Sequence, residues 1–248
     1  MSWWTNPYLI TSAIMTTTAV SVTCAWGTFS PQSRLWGSNI AHGPATSPPR
    51  VALSFDDGPS AMVTPQILQI LAEFNVPAAF FVVGTKAQAH PDLVRQAYAQ
   101  GHLIGNHTFD HAGGAILRGA GYWRAQLRRN DEVVQALIGQ RPGLFRPPYG
   151  FKTWPVMRAV RANGQTLVSW SRRGMDGVAT TPQRILQRLV PQAGAGDILN
   201  LHDSVEPGQG HPPNATVAAL PKLITGLRQR GLQIVRLDQL LGIAAYVV

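Results

Sequence analysis

Two adjacent aspartates, Asp56 and Asp57, precede Gly58-Pro59, and two histidines, His107 and His111, stand four residues apart. Further along come Arg146 within Arg146-Pro147-Pro148-Tyr149-Gly150, an acid at Asp176, and the pair His202-Asp203. Two neutral imidazoles and one carboxylate suit a catalytic divalent ion, zinc by preference, with positions left for water and substrate. Only one of two successive aspartates can face that ion unless the chain turns, because side chains alternate along a strand. The other is then free to take a proton from water, a role worth about 10²–10⁴-fold when the base is well positioned. Taken singly, each feature also has a plain structural reading. Asp-Asp-Gly-Pro can be an ordinary turn, Arg146 a surface charge, and His202 a satisfied core histidine. Their meaning depends on where the fold puts them.

The surrounding pattern alternates strand and helix signals. Strands are predicted over 51–55, 78–83, 102–105, 143–145, 166–170, 197–201 and 232–237. Thr64-Pro65 reads as a helix start, with Ile67, Leu68, Ile70, Leu71 and Phe74 as its buried face. Further helices are predicted over 91–100, 122–138, 153–162, 185–190 (after a second Thr-Pro cap at Thr181-Pro182), 216–230 and 239–241. About seven such alternations, with connections too long for hairpins, require a parallel sheet with helices outside it. The expected fold is α/β, a distorted, incomplete (β/α) barrel of about seven parallel strands, with an open doubly wound sheet as its competitor. In a parallel barrel the carboxyl ends of all strands open on one face. Asp56, Asp57, His107, His111, Arg146, Asp176 and His202 all follow predicted strands, so they should converge there.

Composition narrows the classes. The formal net charge is +9, yet the arginines are scattered, with no long basic run and no basic stretch interleaved with aromatics, which argues against a nucleic-acid role. Cys24 is the single cysteine, so there is no internal disulfide and no cysteine zinc site, and its context is a poor lipoprotein signal. Residues 8–29 carry no charge and have about the length of one membrane crossing, diluted by several threonines. The expected organisation is a signal peptide or membrane anchor over 1–30, a Pro/Gly-rich linker over 31–50, and a catalytic domain over 51–248. The alternative for the first segment is a buried or loose N-terminal helix.

In order and spacing these motifs resemble the NodB-homology polysaccharide deacetylases, carbohydrate esterase family 4, over about 51–240. Ser54-Phe55-Asp56-Asp57-Gly58-Pro59 resembles the first motif, usually TFDDGP, and His107-Thr108-Phe109-Asp110-His111 is similar to H-[ST]-x-x-H. Arg146 to Gly150, Trp170 to Asp176, and Leu201-His202-Asp203 resemble the third, fourth and fifth. The resemblance implies a metal bound by Asp57, His107 and His111, with Asp56 as general base, held ionised and oriented by Arg146. The backbone N–H of Tyr149 would help stabilise the oxyanion. His202 would protonate the departing amine, tuned by Asp176. Leu201 would line the acetyl slot, and Pro147 and Trp170 would contact substrate. Three positions depart from the pattern: Gly177 replaces a usual Trp, Arg173 a usual Asp, and Asn200 a usual apolar residue, which by alternation should face the same way as His202.

The resemblance thus implies hydrolysis of N-acetyl groups on a chitooligosaccharide- or peptidoglycan-type glycan. One divalent ion would be required, zinc first, with cobalt, manganese or nickel as alternatives. The expected location is the cell envelope, periplasmic or extracellular, with membrane attachment through residues 8–29 as one option and no nucleic-acid partner. The runner-up is a deacylase or deformylase of a glycolipid or lipid-linked sugar. A non-catalytic glycan-binding module is a rival that the intact acid and histidine set disfavours.

Overall fold

The computed structural model describes residues 7–204 and 214–247. The first six residues of the expected 1–30 segment lie outside them. Strand β1 (Arg50–Asp56) is central, flanked by β2 (Ala79–Val82) and β8 (Ile198–His202). Beyond β2 come β3 (Leu103–Asn106), β5 (Leu144–Phe145) and β6 (Thr166–Leu167), and beyond β8 comes β7 (Arg172–Arg173). All these pairings are parallel, and β9 (Gln233–Ile234) adds to the start of β1. The path β6-β5-β3-β2-β1-β8-β7 has two unjoined ends, which makes an open, incomplete barrel of seven parallel strands. β4 (Arg141–Pro142) and β10 (Tyr246–Val247) form a separate antiparallel pair.

Alternation along β1 and β8 divides the core. Leu53, Phe55, Leu199 and Leu201 face outward to pack beneath α2 (Thr64–Glu73), α7 (Pro182–Leu189) and α8 (Asn214–Gln229). Ala52 and Ile198 face inward with Phe81, Leu103 and Val168. Ser54, Asp56, Asn200 and His202 share the inward parity, so the polar residues of these strands lie inside the barrel at its carboxyl end.

One local expectation is corrected. Thr64 does not cap α2; Val63 holds that position without a side-chain bond. The Thr64 hydroxyl donates instead to Asp203 Oδ2 at 2.7 Å and accepts the Ser60 N–H, because a buried carboxylate offers it a stronger acceptor. Thr181, by contrast, caps α7 through the Arg184 N–H. Within the 31–50 segment, some residues bond to the barrel. Ile40 bridges Val168 and His42 bridges Asp197, so residues 40–42 lie along the opening of the barrel. Asn39 is buried there and accepts from the Ser169 hydroxyl at 2.8 Å.

Helix α1 (Pro7–Phe29) is exposed along most of its described length and docks only at its end. There the Thr28 carbonyl accepts the Lys152 N–H, Ser30 accepts from Lys152 Nζ, and Phe29 meets Phe151 edge-on. Among the described residues, no helix is long and apolar enough to cross a membrane.

Candidate active site and metal centre

Each strand end delivers one part of the site. β1 ends at Asp56, and the chain then turns through Asp57 at φ 74°, which sends the second carboxylate away from the strand face. Gly58 is required at this turn because a Cβ there would overlap the Asp203 carboxylate. After β3 the segment from His107 to His111 carries positive φ at Thr108 and His111. Tyr149 and Met175 share that conformation on two further loops of the same face. Such backbone is costly for residues other than glycine and gathers where function over-determines it.

Asp57 Oδ1 lies 3.1 Å from Nε2 of His107 and 3.1 Å from Nε2 of His111. One ligand atom from each of the three falls within 4.8 Å of the others, with both histidines buried. The arrangement fits a divalent ion for a reason of hydrogen-bond logic. His107 Nδ1 is 2.7 Å from the carbonyl of Arg146, which can only accept, so Nδ1 carries the proton in the neutral ring. Nε2 then presents an unshared pair to an acceptor-only carboxylate, an arrangement that a cation between them would stabilise. Burial pushes the Asp57 carboxyl up, but the imidazoles beside it outweigh this and hold it well below the usual carboxylate range.

Arg146 is fully buried and follows directly from β5. Its Nη1 donates to Asp56 Oδ1 at 2.7 Å, to Asn200 Oδ1 at 2.7 Å and to the Ser54 hydroxyl at 2.9 Å. Nε and Nη2 donate to the carbonyls of Val168 and Ser169, and the guanidinium stacks 4.0 Å over Phe81. Burial pulls its pKa down from the usual arginine value while Asp56 resists this. Asp56 is thus held in one orientation by a cation that is itself fixed from five directions.

At the end of β8, His202 Nδ1 lies 2.9 Å from Asp176 Oδ1. The other Asp176 oxygen accepts the His202 N–H and the Thr216 hydroxyl. Burial disfavours the imidazolium, but Asp176, reinforced by Asp57 and Asp56, pushes His202 up to about 10. A protonated imidazole with Nε2 directed to the cleft is the form a proton donor needs.

The structure brings Asp56, Asp57, His107, His111, Arg146, Asp176 and His202 together at one end of the barrel. Leu201 packs in the outward core, and Asn200 takes the cleft-facing place because strand side chains alternate. Pro147 is buried in the turn before the 3-10 segment Pro148–Gly150, where its carbonyl accepts the Gly150 N–H. Trp170 and Tyr149 line the cleft, and the Tyr149 ring lies 5.0 Å from that of His111. Gly150, at φ +73°, is pressed against Trp170 so closely that a side chain would collide with the indole. The cleft has a volume of about 270 Å³.

Sequence reasoning missed the supports of the histidine loop. On α5 (Ala120–Ile138), Gln126 Oε1 accepts the N–H groups of Phe109 and Asp110, and Asn130 Nδ2 donates to Val82 and Thr108 carbonyls. The available signal was that both are polar, four apart, beside the buried stripe of Trp123, Leu127 and Val134.

Comparison with known proteins agrees with this geometry. The family model for polysaccharide deacetylase matches residues 43–168. A chitooligosaccharide deacetylase of Sinorhizobium fredii is 35% identical over 199 residues, covering 78% of this chain and 93% of the relative. A peptidoglycan-N-acetylglucosamine deacetylase of Bacillus cereus is 33% identical over 203 residues, covering 77% and 87%. Among solved structures, the Bc1960 peptidoglycan N-acetylglucosamine deacetylase superposes with a TM-score of 0.78 at 29% identity, covering 84% of this chain and 95% of that one. A family 4 carbohydrate esterase of Streptomyces lividans gives 0.68 at 30% identity, covering 75% and 91%. With the barrel, the ordered motifs and relatives of this closeness in agreement, the chain belongs to the polysaccharide deacetylase family, carbohydrate esterase family 4.

Proposed function

We propose that this protein hydrolyses the N-acetyl amide of amino sugars in an envelope or extracellular glycan of chitooligosaccharide or peptidoglycan type. The observation that carries the reading is the Asp57 carboxylate set between the Nε2 atoms of His107 and His111, with Asp56 and His202 on the same cleft. A divalent ion bound by this trio, zinc first among candidates, supplies a Lewis acid for an amide carbonyl and for water.

The chain's own residues do the rest. Asp56, fixed by Arg146, takes a proton from the attacking water. The loop carrying Tyr149 offers its backbone to the developing oxyanion. His202, kept protonated by Asp176, donates to the departing amine, so that water is split across the C–N bond into acetate and a free amino sugar. Relatives acting on chitooligosaccharide and on peptidoglycan support both the substrate class and the location.

A second reading, removal of an acyl or formyl group from a lipid-linked sugar, is favoured by the exposed apolar side chains of α1, among them Met15, Val22 and Trp26. Measuring acetate and formate released from chitooligosaccharides, peptidoglycan fragments and lipid-linked amino sugars separates the two. Acetate from the glycans alone supports the first; acid from the lipid-linked sugars alone replaces it with the second.

A further inference from the structure

We propose that Arg173 is a specificity residue which selects glycans carrying a carboxylate close to the N-acetylated sugar, an inference that rests on the deacetylase reading above. Two arginines make up β7, and the strand separates their roles. Arg172 pairs with Leu199 of β8, whose side chain belongs to the outward core, and its Nε lies 3.4 Å from Asp197 Oδ2. Arg173 pairs with Asn200, which has the inward parity and contacts Arg146, so Arg173 takes the cleft side and lines the same cleft as Asp57 and His202.

Charge balance then sets Arg173 apart. Asp57 sits with its two imidazoles, Asp56 with Arg146, and Asp176 with His202. Arg172 has Asp197. Arg173 is exposed and makes no ion pair among the described residues. A guanidinium offers paired N–H donors that match a carboxylate bidentately, a geometry that a neutral sugar hydroxyl cannot reproduce. Gly177 lies on the same cleft, where a Cβ would come within 3.2 Å of the His202 ring, so no side chain from this position stands between Arg173 and the cleft. The overall charge of +9 adds a long-range field that draws an acidic polymer toward the protein.

The test compares two probes. One is an oligosaccharide of alternating N-acetylglucosamine and N-acetylmuramic acid; the other is the same oligosaccharide with its carboxylates methyl-esterified. The wild-type enzyme should prefer the free acid by about tenfold in kcat/KM, as expected for a partly solvated charged hydrogen-bonded pair. R173A should bring that ratio close to one, R173K should leave it intermediate, and moderate salt should reduce it in the wild type more than in R173A. A wild-type ratio of one, or a ratio untouched by R173A, overturns the proposal. Affinities of the same two probes for D56N and for D56N/R173A, measured by calorimetry, should show the same collapse. Should neither these probes nor a chitooligosaccharide yield acetate, the deacetylase reading fails, while the calorimetric ratio still decides for or against Arg173.

Discussion

The Nδ1 atom of His107 lies 2.7 Å from the main-chain carbonyl of Arg146, and the side chain of the same Arg146 reaches Asp56 at 2.7 Å. One residue thus fixes the tautomer of a candidate metal-binding imidazole through its backbone and the orientation of the candidate base through its guanidinium. Replacing that cation should be costly. Arg146→Met leaves Asp56 buried without its counter-charge, an expected loss of about 3–5 kcal/mol. The double variant D56N/R146M should regain much of it, since no charge is then stranded. Chemical denaturation of R146M, D56N and the double variant reads this coupling; equal instability of R146M and the double variant would refute it.

Asp56→Asn keeps shape and hydrogen-bonding capacity but cannot accept a proton from water. Turnover should fall by about 10²–10⁴-fold. Divalent-ion affinity should stay near that of the wild type, because Asp57, His107 and His111 form the trio. Kinetics paired with ion titration check this, and undiminished turnover would remove Asp56 from the role of base.

The proton-donor role of His202 predicts a pH signature. The donor must be protonated, so activity should be lost as pH rises through its pKa, which Asp176 and the nearby aspartates push upward against burial. Asp176→Asn removes the chief charge favouring the imidazolium. The alkaline limb of kcat should therefore move to lower pH by about one unit or more. A limb that stays in place would assign it to another group.

A separate pH effect concerns folding. His102 is buried against Phe80, its Nδ1 accepts the Ala78 N–H, and Nε2 finds no hydrogen-bond partner among the described residues. Burial lowers its pKa from the ordinary 6.5 to about 4. The unfolded chain then binds a proton that the folded one refuses. Stability is full above about pH 6.5 and declines as pH falls toward 4, by roughly 3 kcal/mol in all. His102→Asn retains an acceptor for Ala78, so its unfolding free energy should show a flatter acid limb over this window. An unchanged limb would point to other titrating groups.

Much of the site could be read from the sequence because its residues fall just past apolar strands, where a parallel barrel must bring them together. Asp57, His107, His111, Arg146 and His202 are of this kind. Asn200 was harder to place, because a motif marks a position on the chain while alternation decides which neighbour faces inward, and here Asn200 does. Strand β7 escaped notice because Arg172-Arg173 shows no apolar alternation; its pairing with β8 creates it. Residues 40–42 read as linker because their strand-like bonds go to distant partners, Val168 and Asp197, that no local pattern reveals. The Gln126 and Asn130 supports depend likewise on the docking of α5 against the histidine loop.

The most direct measurement is acetate release from N-acetylglucosamine oligomers and peptidoglycan fragments while zinc is titrated into protein stripped by a chelator. Activity should be absent in the stripped protein and rise to a plateau at one ion per chain, and the H107A/H111A variant should show neither tight binding nor recovery. Full activity without added metal, or recovery in that variant, would contradict the assignment of Asp57, His107 and His111 as the metal centre.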